Sequence, residues 1–343
     1  MTQRPTAKLT AGTGEAVFDL GGGSLFSFRL TGGLNPLVWL DAADNNATFR
    51  PMAHFLCLDR WGQPSPGEQK AGVPFHGEAA RVEWKIVNAT SNELIMVASL
   101  PLAGLDVWRR ARLVGRDCVL IIQETVTNRN NMIKIYNMVQ HPTIGAPFLD
   151  EHTTIDSNAN RGFMQSSQMP FPEQPSVYWP EALHNGETVN MRFLTHNENP
   201  TLVSYVVNGQ TGWATASSPT NNLMLGYIWR TSDYPWFNVW RHLGPDNKPL
   251  ARGLEFGTTG LHQPLNVLLE KSKIFKRNIF TCLDAGESKT RVYIAFLATI
   301  PQGWDGVRKI QGHHGSIKIT GRTAKAISVQ CDEQYWNEFP VVL

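Results

Sequence analysis

Three ionisable side chains stand where the surrounding residues are mostly apolar. His141 closes the run Tyr136-Asn-Met-Val-Gln-His141 and is followed at once by the turn residues Pro142-Thr-Ile-Gly-Ala-Pro147. His76 lies in Gly72-Val-Pro-Phe-His-Gly-Glu78, and Glu255 in Gly253-Leu-Glu-Phe-Gly257. An imidazole changes charge near neutral pH, so a histidine aimed out of a rigid strand end is equipped for proton transfer. The plainer readings are a hydrogen-bonded structural histidine at 141 and a solvent-facing strand carboxylate at 255. Chemistry requires that the fold gather the three.

The elements that must position them read as strands. Residues 118–128 form a strong buried strand by pattern, and the segment ending at His141 is expected to be its neighbour in a sheet. Residues 15–30 read as two strands around Gly21-Gly22-Gly23, which is no phosphate loop, because no Gly-Lys-Ser/Thr follows and no helix pattern begins there. A short strand is expected over 35–40. The Pro/Gly-rich passage 49–71 is expected to be ordered but without regular structure. From 81 onward turn residues recur about every ten positions. This spacing predicts strands over 81–87, 93–100, 105–113, 118–128 and 134–140. After a surface excursion over 156–190 the series continues over 202–208, 212–216, 223–230, 237–243, 266–270, 273–283, 288–298, 314–320 and 326–331. No amphipathic helix of 12 or more residues is evident. About fifteen to twenty strands exceed an ordinary sandwich and suit two large stacked antiparallel sheets.

The composition narrows the classes of function. With 343 residues there is chain enough for one large all-β domain over 1–343. A net charge of +2 from 31 basic and 29 acidic residues excludes the electrostatic footprint of a nucleic-acid or anionic-membrane binder. The densest basic run, Trp108-Arg-Arg-Ala-Arg112, reads as the solvated face of a strand. Cys57, Cys118, Cys282 and Cys331 are scattered with no Cys-x-x-Cys pair, so free thiols are expected. The first residues lack the apolar core of a secretory signal, and no run of about 18 apolar residues occurs. A soluble cytoplasmic protein is the expectation. The 11 tryptophans suit either sugar stacking or a large β core.

The segments Gly72–Trp84, Tyr136–Asp150 and Ala251–Pro264 together resemble the galactose mutarotase-like superfamily, the aldose 1-epimerases and their relatives. That family shows the same order of a His-Gly loop, a later histidine at a strand end and a glutamate in a C-terminal apolar segment. The resemblance runs from Val17 to Val329. It departs at His141-Pro-Thr, where the epimerases usually have His-x-Tyr-Phe, and this bears on the substrate more than on the fold. It implies an all-β supersandwich of large stacked antiparallel sheets. It also implies mutarotation of a monosaccharide or sugar derivative with no cofactor and no metal, Glu255 standing as base, His141 as acid and His76 as a sugar-bonding histidine. Arg60 fits an arginine that donates to sugar hydroxyls, with an ion-paired surface arginine as the rival reading. Asp233 loosely fits an aspartate that accepts from a pair of hydroxyls. Trp236 and Trp240 fit a stacking wall, with core packing as the rival for at least one. Arg81 follows the His-Gly motif one residue later than the arginine of hexose-phosphate relatives, which hints at a phosphate site. Two other classes fit the same scaffold: a carbohydrate-binding protein without turnover, and a glycan lyase or hydrolase.

Other clusters have bland readings. In Asp150-Glu-His152 at most two side chains share a strand face, which is too few for a metal. Ser24, Ser166 and Ser217 sit in no Gly-x-Ser-x-Gly context. The thiol expectation is directly checkable: titration after denaturation without reductant should return four free thiols, and fewer would overturn both the redox and the location readings.

Overall fold

The computed structural model describes residues 5–38, 52–194, 201–244, 249–313, 315–323 and 325–331. Among them, eleven strands make one sheet and eight another. Across the larger sheet run, in order, Thr6–Ala11, Gly14–Asp19, Leu25–Leu30, His54–Asp59, Lys134–Gly145, Pro249–Gly257, Trp236–Leu243, Leu202–Val207, Ala159–Met164 and Val177–Tyr178, and Thr281–Leu283 also pairs with Lys134–Gly145. The smaller sheet is ordered Thr154–Ser157, Thr211–Ser218, Leu223–Arg230, Ser288–Thr299, Cys118–Asn128, Leu105–Val114, Glu93–Leu100 and Lys85–Ala89. Neighbouring strands in both are antiparallel, for example Phe55 opposite His141 and Ile121 opposite Ile294.

The alternation of side chains explains why the sheets stack. Leu56, Leu58, Met138, Leu254 and Phe256 of the larger sheet meet Leu120, Ile122, Leu225, Tyr227 and Ala295 of the smaller one in a single apolar cluster. On the far side of the smaller sheet, Val119, Ile121, Met224, Ile294 and Phe296 pack under the terminal meander Val307–His313, Ser316–Gly321 and Ala326–Gln330. Cys118-Val-Leu-Ile-Ile122 is therefore apolar at every position because both of its faces are covered. Gly226 belongs to the same logic, since a Cβ there would lie 2.1 Å from the Phe296 ring. The far side of the larger sheet carries Phe55, Cys57, Val139 and Leu202, with Trp61 and Ala80 of the following loop packed on them.

The structure departs from the sequence reading in several places. Lys134–Gly145 faces Cys118–Asn128 across the core and does not pair with it, because the turn between them carries the chain from one sheet to the other. The passage 49–71, in its described part, holds the central strand His54–Asp59 and the helix Pro66–Lys70, capped by Ser65 and Glu68. Residues 266–270 belong to the helix Leu265–Lys271. Leucine, glutamate and lysine favour that state, and Pro264 starts it. The stretch 273–283 is broken by positive φ at Phe275 and Lys276 into a tight hairpin and a separate strand. The excursion 156–190 contributes Ala159–Met164 to the larger sheet. Of the strand expected over 35–40, residues 39 and 40 lie outside the described residues, as does His314. Arg109 is not solvated. It is buried on the core side of its strand, with Nε 2.7 Å from Glu124 Oε1.

One buried carboxylate fastens the terminal meander. Asp156 Oδ1 accepts from Arg192 Nε at 2.5 Å and from Arg322 Nη2 at 3.0 Å, and Oδ2 accepts from the Val307 backbone at 2.8 Å. Asp156→Ala leaves the buried Arg192 without its counter-charge and should cost about 3 kcal/mol or more in urea unfolding. A loss below about 1 kcal/mol would show the clamp to be incidental.

Candidate active site

The site lies on the outer face of the larger sheet. Lys134–Gly145 and Pro249–Gly257 are neighbours there, and the flanking pairs Gly253 with Thr143 and Phe256 with Gln140 put Glu255 opposite His141. Alternation turns Gln140, Leu254 and Phe256 toward the core and His141 and Glu255 away from it. His141 Nε2 lies 3.2 Å from Glu255 Oε1, with both residues 3% exposed or less. The other carboxylate oxygen, Oε2, accepts from the Trp61 indole at 2.6 Å. The other ring nitrogen, Nδ1, is 3.0 Å from Thr143 Oγ1. The Phe55 ring stacks on His141 with centroids 4.4 Å apart.

His76 arrives from the loop over this face. The His-Gly pair is required there: Gly77 has φ +77°, and a Cβ on it would lie 1.9 Å from the Leu58 carbonyl oxygen. Only glycine lets that backbone press so closely on the strand. His76 itself has φ +65°. Its Nδ1 accepts from the Gly62 N–H at 3.0 Å, while its own N–H donates to the Gly62 carbonyl at 3.1 Å. With Nδ1 accepting, the neutral ring carries its proton on Nε2. The ring centroids of His76 and His141 are 5.6 Å apart.

These groups line a cavity of about 210 Å³, with Trp61, Phe75, Trp240 and His262 as its further aromatic walls. A larger cavity of about 540 Å³ lies elsewhere, between the N-terminal hairpin and the terminal meander, and Asp117 is its one ionisable lining residue. The smaller one is the candidate site, because His76, His141, Glu255 and His262 all line it.

Other residues singled out in the sequence lie elsewhere. Arg60 is bound by Asp59 Oδ1 at 2.6 Å and by Glu68 Oε1 at 2.5 Å, which anchors the short helix and turns the guanidinium away from the cavity lining. Asp233 receives Arg230 Nε at 2.9 Å inside a turn. The Trp236 indole donates to the Asn278 carbonyl, and its ring supports Gly260, whose Cβ would fall 2.1 Å from it. Trp236 thus packs behind the turn that carries His262. Trp240 lines the cavity, with its centroid 5.8 Å from that of His141. Arg81 is exposed beyond the His76 loop.

Trp61 and His262 have no role assigned from the sequence, although both lie beside residues that do. Trp61 follows Arg60, and His262 ends the Gly-Thr-Thr-Gly-Leu-His run after Glu255. Their partners are remote in sequence, so no local pattern marks them. Gln165 holds the His262 turn by donating to Gly260 O at 2.7 Å and accepting from His262 N at 3.0 Å. A Cβ on Gly62 would lie 2.6 Å from His262 Nε2, so glycine there makes room for the ring.

Burial governs the ionisation of the site. Desolvation pushes Glu255 up to about 8 against the lowering hydrogen bond from Trp61, and pushes His141 down to about 3 and His262 down to about 4. His76 is held well below its usual value, first by burial and then by His141 and His262. The reference values alone favour an ionised glutamate beside a protonated histidine, and mutual attraction would widen that gap. In the folded protein the loss of water outweighs the attraction and favours the uncharged members. Among the described residues no group of three or more His, Cys, Asp or Glu side chains is arranged to hold a metal. None of the four cysteines is disulfide-bonded. No helix among the described residues is long and apolar enough to cross a membrane.

No family model matches this chain, and no curated protein does. Solved structures do. A galactose mutarotase related enzyme from Lactobacillus acidophilus is 11% identical with a TM-score of 0.64, over 87% of this chain and 99% of that one. A candidate aldose 1-epimerase from Escherichia coli K12 is 14% identical with a TM-score of 0.59, over 87% of this chain and 100% of that one. A galactose mutarotase-like protein from Clostridium acetobutylicum is 13% identical with a TM-score of 0.59, over 87% and 96%. The fold is a galactose mutarotase-like all-β sandwich.

The raised Glu255 has a consequence for stability. A carboxyl whose pKa is higher in the folded than in the unfolded chain contributes fully below the unfolded value near 4.5, and that contribution is lost as pH rises toward about 8. Glu255→Gln, which resembles the protonated acid, should therefore gain stability relative to the parent between pH 5 and pH 8, by about 1 kcal/mol or more. Urea unfolding of both proteins at the two pH values measures this. A difference independent of pH would place the Glu255 ionisation outside the folding equilibrium.

Proposed function

We propose that the chain, as one domain over residues 1–343, is an aldose 1-epimerase-like enzyme that opens and recloses the ring of a monosaccharide or sugar derivative at its anomeric centre. The observation that carries this reading is the 3.2 Å contact of His141 Nε2 with Glu255 Oε1 in the wall of an aromatic cavity. The names of the structurally similar proteins, mutarotase-related and candidate aldose 1-epimerase, support it. The cavity of about 210 Å³ falls below the ~300–1,000 Å³ of drug-sized pockets and suits one sugar ring. Trp240 and Phe75 offer faces on which the apolar side of a pyranose can stack. The protein is proposed to work in the cytoplasm.

Ring opening moves two protons. The Glu255 carboxylate takes the proton of the anomeric hydroxyl, O1 becomes a carbonyl oxygen, the bond from C1 to the ring oxygen breaks, and the ring oxygen receives a proton from the His141 imidazolium. The open aldehyde turns about the bond between C1 and C2. Reclosing returns both protons and inverts C1. Burial favours the uncharged forms of Glu255 and His141, so the shared proton first passes from Glu255 to His141 Nε2, and the opening step then discharges that ion pair. His76, with a proton on Nε2, can donate to a sugar oxygen. No step of this chemistry calls for a metal or an organic cofactor.

The active pair holds one proton. Above about pH 8 that proton leaves Glu255, and below about pH 3 His141 gains a second one, so the rate should be level between and fall on the alkaline side. Polarimetry of freshly dissolved aldoses, corrected for the spontaneous reaction, measures it. Glu255→Gln and His141→Asn should each lower the rate by about 10²-fold or more, with a double variant no worse than the weaker single, because the two act as a unit. If no aldose in a broad panel is accelerated while sugar still quenches tryptophan fluorescence in both variants, the chain is a binding protein.

A further inference from the structure

Each end of the Glu255–His141 contact is closed by a buried hydrogen-bonding side chain. The Trp61 indole can only donate, and it points at Glu255 Oε2 from 2.6 Å. A protonated oxygen at Oε2 would meet that N–H with a proton of its own, so when Glu255 carries a proton the proton belongs on Oε1, facing His141 Nε2. Thr143 closes the other end. Its hydroxyl is 3.4 Å from the His141 carbonyl, to which it donates, and 3.0 Å from Nδ1, from which its lone pair accepts. That leaves Nδ1 protonated and Nε2 free to take or give the proton shared with Glu255.

We propose that Trp61 and Thr143 are positioning residues that cap the outer ends of the Glu255–His141 pair and confine its shared proton to the line between Oε1 and Nε2. The pair then works as a one-proton relay of fixed direction. The elements around it are built to hold both caps. Trp61 is 2% exposed and packs against Phe55, Cys57 and Val139 of the sheet, with the edge of His262 on its ring at 4.7 Å between centroids. Thr143 is fully buried and sits two residues along the same strand face as His141. The ionisable groups that face the pair are Cys57 from the adjacent strand, His76 from the loop above, and His262 from the turn beyond Glu255, while Arg81, exposed beyond that loop, bears on His76. Burial holds Cys57, His76 and His262 in their uncharged forms near neutral pH, which leaves the shared proton as the titrating one.

The inference deepens the proposed activity, and its deciding measurements need no substrate. Protein labelled with ¹⁵N in its histidine rings reports the tautomer of His141, assigned by the signals lost in His141→Asn. Near neutral pH the parent should show Nδ1 protonated and Nε2 as the nitrogen whose shift follows the alkaline transition. Thr143→Val should raise the Nε2–H tautomer, and Thr143→Ser should restore the parent pattern. Trp61→Phe should move the alkaline transition upward by about one unit, since a donor to the carboxylate has been removed, and Trp61→His should recover part of the shift. Both Thr143→Val and Trp61→Phe should slow sugar mutarotation about 10- to 100-fold at unchanged KM. A parent protein whose His141 carries its proton on Nε2 alone overturns the proposal, and so does a folded Trp61→Phe with an unmoved transition. If Trp61→Phe does not fold, the parent tautomer and the Thr143 pair decide. Should the tautomer and shifts be found while no aldose is accelerated, the relay stands and the epimerase reading fails.

Discussion

One row of side chains across the larger sheet sets everything else at the site. Strand register aligns Phe55, His141, Glu255, Asn238 and Ser204 on the outer face, one residue from each of five adjacent strands. A slip of one residue in any of these pairings would turn that strand's contribution toward the core. The register is held by the apolar residues on the opposite face, Leu56, Leu58, Met138, Phe256, Val239 and Val203, which the smaller sheet buries. Core packing therefore decides where His141 and Glu255 point, although none of those residues touches the site.

The same row explains the electrostatics. A carboxylate and an imidazole placed on a sheet face would ordinarily keep their charges in water. Here the loop carrying Trp61, Phe75 and His76 and the turn carrying His262 cover that face and remove the water. The cost falls on the charged forms and drives Glu255 and His141 in opposite directions from those that mutual attraction alone would give. Trp61 opposes the shift of Glu255 with a direct hydrogen bond, so one residue both contributes to the dry wall and moderates its effect.

Behind the row lies a second polar layer inside the core. Gln140, next to His141, donates to Glu124 Oε2 at 2.5 Å, and Glu124 pairs with Arg109. Gln140 Oε1 is 3.3 Å from His54 Nε2, and His54 stands among Tyr227 and Tyr293. Buried polar groups of this kind are costly unless satisfied and specify one arrangement when they are. They tie the central strands of the larger sheet to the smaller sheet at the level of the site.

How much of this was legible in the sequence follows from how local each feature is. Period-two alternation and regular turns are local, so the all-β stacked-sheet architecture was readable, as was the covered strand at Cys118–Asn128. Breaks set by a few residues were not: the helix at Leu265–Lys271 and the central strand His54–Asp59 are short enough for tertiary packing to override pattern. His76, His141 and Glu255 were marked by apolar surroundings and by the order of their motifs. Arg60 and Trp236 carried equally suitable side chains, and only the fold gave them to an ion pair and to a supporting layer. Trp61, His262 and Thr143 lie inside stretches the sequence marked, but no pattern in it assigned them a role. Their importance is a matter of partners far away in the chain, and hydrogen-bond distances of that kind exist only once the sheets have closed on each other.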